Sequence, residues 1–300
     1  MSPRPRCLRG AVDSENWPLL PAPVLPSTSH PYNLLITGVG GTGTITLGAL
    51  IGMAAHLDGK GVTALDMTGL AQKFGAVFSH VRIAERPEDI HAVRVAAGEA
   101  NAVIGGDIVV TANTEALAKM QTGATRAVVN CTETPTAEFI RNPDWQFPLD
   151  RMQQTILEAT GEGRADFIDA NGLATALMGD AIYGNLLLLG HAWQKGLVPV
   201  SLESLTRAIE LNGVAVETNL QAFLWGRRAA HDRTAVERFA RPSKVVEPPP
   251  YAILGRTRCV SRRLPYRLPG RRLCRPLPGA GGAGAHRGSA AQLDATRRYG

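Results

Sequence analysis

Residues 38–43, Gly38-Val39-Gly40-Gly41-Thr42-Gly43, follow the pattern G-x-G-x-x-G. In such a turn the first glycine permits a tight bend and the second lets the backbone come close to a phosphate. The third lets a helix pack near the strand, while the free N–H groups and positive dipole of that helix attract an anion. Asp66 lies 23 residues beyond Gly43, where an acid that binds a ribose hydroxyl stands in a dinucleotide enzyme. The stretch that follows carries Lys73, Ser79, His80 and Arg82. Lys73 and Arg82 could hold an anionic ligand and His80 could hydrogen-bond it. The competing reading is that Lys73 is solvated while His80 and Arg82 make internal bonds on a strand. The candidate cofactor-binding set is therefore Gly38, Gly40, Gly41, Thr42, Gly43, Asp66, Lys73, Ser79, His80 and Arg82, with no catalytic and no metal-ligating residue assigned. On pattern alone three readings stay open: an NAD or FAD site, another phosphate ligand, or a tight strand–helix turn without a ligand.

The elements around these residues suit the motif. Residues 33–37 (NLLIT) form a short apolar run ending at Gly38, as in a buried strand. From 44 to 57, Ile45, Leu47, Leu50, Ile51, Ala54 and Leu57 recur at helical spacing, and 62–66 (VTALD) reads as a second strand. Further strands are expected at 79–83, 107–111, 127–130 and 166–169, with helices at 99–104, 114–120, 149–159 and 172–178. Beyond 180 the pattern is helical only, at 180–195, 201–211 and 214–228. Strands separated by helices argue for a parallel sheet covered on both faces. The fold class expected is α/β: a three-layer α/β/α unit with a mainly parallel, Rossmann-like sheet, carboxyl-terminal helices and disordered ends.

Composition bounds the rest. The 300 residues carry 32 Lys+Arg, 26 Asp+Glu and 44% apolar side chains, enough for a sizeable core. The four cysteines are scattered and none forms a C-x-x-C pair, which argues against a disulfide scaffold, an iron–sulfur cluster or a structural zinc site. The net charge of +6 is uneven: residues 241–300 hold 13 Lys+Arg against 2 Asp+Glu, whereas residues 1–240 hold 19 against 24. Residues 241–300 are rich in Arg, Pro and Gly, show no apolar period, and are expected to be disordered. Aromatic side chains do not interleave the arginines as in an RNA-binding tail, so nucleic acid is not expected as a partner. Residues 1–30, with six prolines, read as an irregular segment outside the fold, without a signal-peptide core. The most apolar stretch, 173–193, is interrupted by Asp180, Asn185 and His191 and reads as core helices rather than a membrane span, so a cytoplasmic protein is expected.

The run NLLITGVGGTGTITLGALIGMAAHLDGKGVTALDMTGLAQKFGAVFSHVRIA (33–84) resembles the gamma-type domain of 2-oxoacid:ferredoxin oxidoreductases, most closely the fused indolepyruvate-type enzyme. The resemblance continues through GEANAVIGGDIVV (98–110), TRAVVN (125–130), DFIDANGLATALMGD (166–180) and AIYGNLLLLGHAWQKGLVP (181–199), and covers about residues 31–240. It implies a domain that accompanies others binding thiamine diphosphate and iron–sulfur clusters, in an enzyme that oxidatively decarboxylates a 2-oxoacid, reduces ferredoxin and forms an acyl-CoA. It also implies a contact with coenzyme A, whose diphosphate suits the Gly38–Gly43 turn, and an oligomeric complete enzyme.

The sequence departs from a whole enzyme of that kind. GD occurs only at Gly106-Asp107 and Gly179-Asp180, neither followed by Gly, so no thiamine-binding G-D-G is present. The expectation is a gamma domain (31–240), inactive alone, that works with thiamine- and iron–sulfur-bearing domains or subunits and reaches ferredoxin only through them. A frameshift is a third reading of the tail: moving the frame of 266–283 by one nucleotide permits a string with the spacing of a good helix, and the nucleotide sequence between 239 and 266 tests it. The rivals are a free-standing NAD(P)- or FAD-binding oxidoreductase and a non-catalytic scaffold docking through helices 181–228.

Overall fold

The computed structural model describes residues 17–68, 75–133 and 147–241. The chain divides into units 1–245 and 246–300, and every described residue belongs to the first. The tail with its proposed frameshift, and Lys73, lie outside the described residues.

Six strands form one sheet in the order β2-β3-β1-β4-β5-β6: β1 (Tyr32–Val39), β2 (Gly61–Thr68), β3 (Ala76–Ala84), β4 (Ala102–Gly105), β5 (Arg126–Asn130) and β6 (Ala165–Ile168). β1, β4, β5 and β6 run parallel. β3 lies antiparallel between β1 and β2. The sheet is therefore mixed but mainly parallel, as expected: of the six described strands five run one way and β3 runs against them. The physical reason is local: β2 and β3 are close in sequence and pair as a hairpin, which needs no crossover.

Helices cover both faces. Leu34 and Ile36 of β1 point into one core with helix α1 (Thr44–Leu57). Leu35 points into the other, with α2 (Ile108–Thr111), α3 (Thr114–Leu117) and α4 (Leu149–Thr160), as the two-residue period of a strand requires. The first face is completed by α5 (Ala170–Met178), α6 (Gly184–Gln194), α7 (Leu202–Asn212), α8 (Val216–His231) and α9 (Arg233–Ala240). A Cβ on Gly190 would fall 2.0 Å from the Phe223 carbonyl oxygen, and one on Gly226 would fall 1.8 Å from that of Leu187. Glycine at both places lets α6 and α8 touch backbone to backbone, and this holds α6 against α8.

Two expected elements are exchanged. The helix expected at 99–104 is strand β4, and the strand expected at 107–111 is the short helix α2. Of two neighbouring β-branched runs the sheet takes the first, whose residues 102–105 are all buried between β1 and β5. Gly105-Gly106 then breaks the strand, and Asp107 accepts the Val110 N–H at 3.0 Å, capping a helix that overrides the strand propensity of Ile-Val-Val. Residues 17–31 precede β1 largely without regular structure, yet part of this stretch packs on the body. Trp17 meets Trp225 edge-on at 5.3 Å, the Gln194 side chain donates to the Pro21 carbonyl, and Thr28 is buried.

Candidate functional site

The glycine turn stands where β1 gives way to α1. Gly41 and Gly43 have φ of 88° and 90°, the left-handed region that L side chains enter at a cost. The Gly40 N–H donates to the Gly75 carbonyl at 2.8 Å, and a Cβ on Gly40 would come within 3.4 Å of that oxygen. Both the N–H and the hydroxyl of Thr42 donate to the Val39 carbonyl, at 3.2 and 2.7 Å. Gly43, the residue capping α1, supplies no side chain, and the first turn of α1 contains no acid. The first N–H groups of this helix are thus left without the usual side-chain acceptor. They border a cleft of about 280 Å³ lined by Gly40, Gly41, Gly43, Thr44, Ile45 and Thr68, with Val39, Gly75 and Val77.

The turn also sits at a switch in chain direction. From β1 the chain leaves over one face through α1, and from the adjacent β4 it leaves over the other through α2 and α3. In open α/β sheets the crevice at the carboxyl ends of two such strands is where ligands bind. Along this edge the Gly106 N–H donates to Thr37 O at 2.7 Å and its carbonyl accepts Asn130 Nδ2 at 3.1 Å. Asn130 Oδ1 accepts the Ala170 N–H and the Thr132 hydroxyl, and Thr132 Oγ1 also lies 2.6 Å from Asp169 Oδ1. Asn185, at the start of α6, donates its side-chain N–H to the Thr42 carbonyl.

The other candidates do not converge on this cleft. The register Ile36↔Ser79↔Asp66 places a whole strand between β1 and Asp66, roughly 9–10 Å at ordinary strand spacing. A ribose-binding acid would need to stand on the strand next to β1, so the inserted β3 removes the geometric basis of the dinucleotide reading. Ser79 and His80 are both fully buried and, as sequence neighbours on β3, point to opposite faces. A Cβ on Gly48 of α1 would come within 2.4 Å of Ser79 Oγ, which has no hydrogen-bond partner. His80 accepts the Val95 N–H on Nδ1 at 3.3 Å, and its Nε2 has no partner. Burial first, and then the charges of Arg94 and Lys119 against that of Glu115, push the imidazole down to about 4, so it is neutral near pH 7. Arg82 pairs with Asn33 at the far end of β1 and donates to the Arg94 carbonyl. It lies five residues from Val77 along β3, roughly 17 Å. The joint anion site expected of Lys73, His80 and Arg82 is not what β3 builds: His80 and Arg82 make internal bonds on a strand.

Sequence reasoning missed Asn185, Asn130 and Gly106. Asn185 lies 143 residues from its partner Thr42, and no local spacing announces such a pair. A second polar cluster, at the amino edge of the sheet, was also missed. Asp166 of β6 accepts His191 Nε2 at 2.8 Å, with Lys195 Nζ at 3.3 Å and Arg233 Nη1 at 4.0 Å.

Comparison with known proteins decides the family. The model for pyruvate ferredoxin/flavodoxin oxidoreductase matches residues 33–229. The chain belongs to that family. Within it this is a gamma-type domain. It is 30% identical to the IorB subunit of indolepyruvate oxidoreductase from Pyrococcus horikoshii, over 67% of this chain and 96% of that one. Two solved structures are similar. The gamma subunit of keto/oxoacid ferredoxin oxidoreductase from Geobacter sulfurreducens has a TM-score of 0.46 and 20% identity, over 67% of this chain and 98% of that one. The 2-oxoglutarate:ferredoxin oxidoreductase of Magnetococcus marinus, solved with 2-oxoglutarate, coenzyme A and succinyl-CoA, has a TM-score of 0.51 and 18% identity. That match covers 67% of this gamma-type domain's chain and 31% of the Magnetococcus chain. Among the described residues no helix is long and apolar enough to cross a membrane.

Proposed function

We propose that this chain is the gamma component of an indolepyruvate-type 2-oxoacid:ferredoxin oxidoreductase and that its glycine turn holds the diphosphate of coenzyme A. The observation that carries the reading is the uncapped start of α1 on the cleft beside Gly40, Gly41 and Gly43. The cleft of about 280 Å³ would take a diphosphate, and the rest of coenzyme A would extend beyond it. Backbone N–H groups of residues 43–46 would hold the phosphates, and Thr68 and Ile45 would border them. Bound coenzyme A supplies the thiol that accepts the acyl group; the chain's own part is to bind and orient it. Thiamine diphosphate and iron–sulfur clusters belong to partner subunits in this reading, and ferredoxin is reached through those partners. The indolepyruvate preference follows the IorB relative.

The test is calorimetric titration and thermal shift of the full chain with coenzyme A and with NADH. Binding of coenzyme A with no response to NADH is the expected result. A response to NADH alone would favour the dinucleotide oxidoreductase. No response to either, with stable co-purification with the thiamine-bearing subunit, would leave a scaffold.

A further inference from the structure

The geometry points to Asn185 as the positioning residue of the glycine turn, a role that rests on the reading of that turn as a coenzyme A diphosphate site. The carboxamide of Asn185 lies between two glycines. A Cβ on Gly43 would stand 2.9 Å from Asn185 Nδ2, and one on Gly106 would stand 3.7 Å from Asn185 Oδ1. The absence of a side chain at Gly43 opens the slot that the carboxamide fills, while a Cβ on Gly106 would make only ordinary contact with it.

The bond it makes has a directional consequence. Asn185 takes the Thr42 carbonyl from the α6 side. In a trans peptide the N–H points opposite to the C=O, so the Gly43 N–H is turned away from α6. The cleft lies on that other side, lined by Gly43 together with Thr68, Gly75 and Val77 of β2, β3 and the segment between them. Among the described hydrogen bonds, that from Asn185 is the one made by the Thr42–Gly43 peptide group itself, since the Gly43 carbonyl, which accepts the Leu47 N–H, belongs to the next peptide and the other Thr42 contacts are made by its own N–H and hydroxyl. Asn185 is in turn held still, because α6 is locked against α8 by Gly190 and Gly226. The helical layer thereby sets the direction in which the turn offers its N–H groups.

The test compares the full chain with Asn185→Ala and with Asn185→Asp, which keeps the side-chain shape but cannot donate. Amide hydrogen exchange is read at Thr42 and Leu47, the amides that the turn and the first turn of α1 hold in hydrogen bonds, together with coenzyme A affinity and thermal midpoint. The expected result in both variants is exchange at Thr42 and Leu47 faster by about tenfold and coenzyme A affinity weaker by about tenfold, the usual weight of one hydrogen bond, at a nearly unchanged midpoint. Unchanged exchange at both amides in the folded variants overturns the role of Asn185. So does faster exchange spread evenly over the sheet with a lowered midpoint, which marks a merely structural contact. If Asn185→Ala does not fold, Asn185→Asp decides alone. If wild-type chain fails to bind coenzyme A while exchange at Thr42 and Leu47 still rises in the variants, the ligand reading falls and the positioning of the turn stands.

Discussion

The two edges of the sheet treat their polar groups in opposite ways. At the carboxyl edge the groups facing the cleft are backbone N–H donors of a glycine turn and an uncapped helix, with no acid in the first turn to neutralise them. At the amino edge the polar groups are charged side chains gathered on one carboxylate. Burial alone would raise the Asp166 carboxyl, but the His191 hydrogen bond and charge, joined by Lys195, carry it down to about 2. That cluster resembles a site by composition, yet its charges answer one another and tie β6 to α6 and α9. In the proposed reading it is donors left open by the fold, rather than charges gathered by it, that mark the place where a ligand would bind.

Four experiments probe this contrast. The largest effect is expected at the amino edge: Asp166→Ala leaves the buried His191 and two cations without their acceptor and should cost about 2 kcal/mol, discounted for the carboxylate's partial exposure. For a domain of this size that lowers the thermal midpoint by roughly 4–8 °C. Coenzyme A affinity should not change; a loss of affinity at unchanged fold would erase the distinction between the edges.

Acid should reveal the second effect, inside the sheet. Unfolded His80 takes a proton near 6.5 and folded His80 near 4. Its contribution is therefore present above about 6.5 and lost as pH falls through this window, amounting to about 2 kcal/mol by pH 5. His80→Leu should be somewhat less stable at pH 7 and should have a flatter urea-unfolding profile between pH 6.5 and 4. An equally steep profile would assign the acid sensitivity elsewhere.

Gly43→Ala comes third, at about 1–2 kcal/mol, because its φ of 90° and the nearby Asn185 both oppose a side chain. Coenzyme A affinity measured by titration should fall at least tenfold with it. Gly41→Ala is the smallest, about 1 kcal/mol: φ is 88°, but nothing lies within 4 Å of its added Cβ. If the two alanine variants lose stability and affinity equally, the Asn185 slot contributes nothing beyond backbone strain.

The glycine turn and its flanking strand and helix were legible because G-x-G-x-x-G, the apolar run before it and the helical spacing after it are all local signals. α1 spans the residues expected of it. The pairing of β3 was not legible, since strand order depends on which edges are free to hydrogen-bond after collapse. For the same reason Asp66 stood at the right distance along the chain and on the wrong strand in space. His80 and Arg82 looked like ligand groups by type, but the face of a central strand decides burial: it buried His80 and left Arg82 half-buried, away from the turn. The exchange of 99–104 and 107–111 between helix and strand came from two β-branched runs of similar propensity. The choice between them rested on Gly105, Gly106 and the cap at Asp107.

The amino-acid sequence by itself determined the phosphate-type turn, the alternation of strands and helices, the acidic body and the family, because each is carried by residue type and short spacing. Only the tertiary structure decided the mixed sheet, the separation of Asp66 from the turn, the burial of Ser79 and His80, and the union of Thr42 with Asn185. Those are relations between segments far apart in the chain. Packing two helices backbone to backbone and inserting one strand into a sheet settle them, and no local pattern records either event.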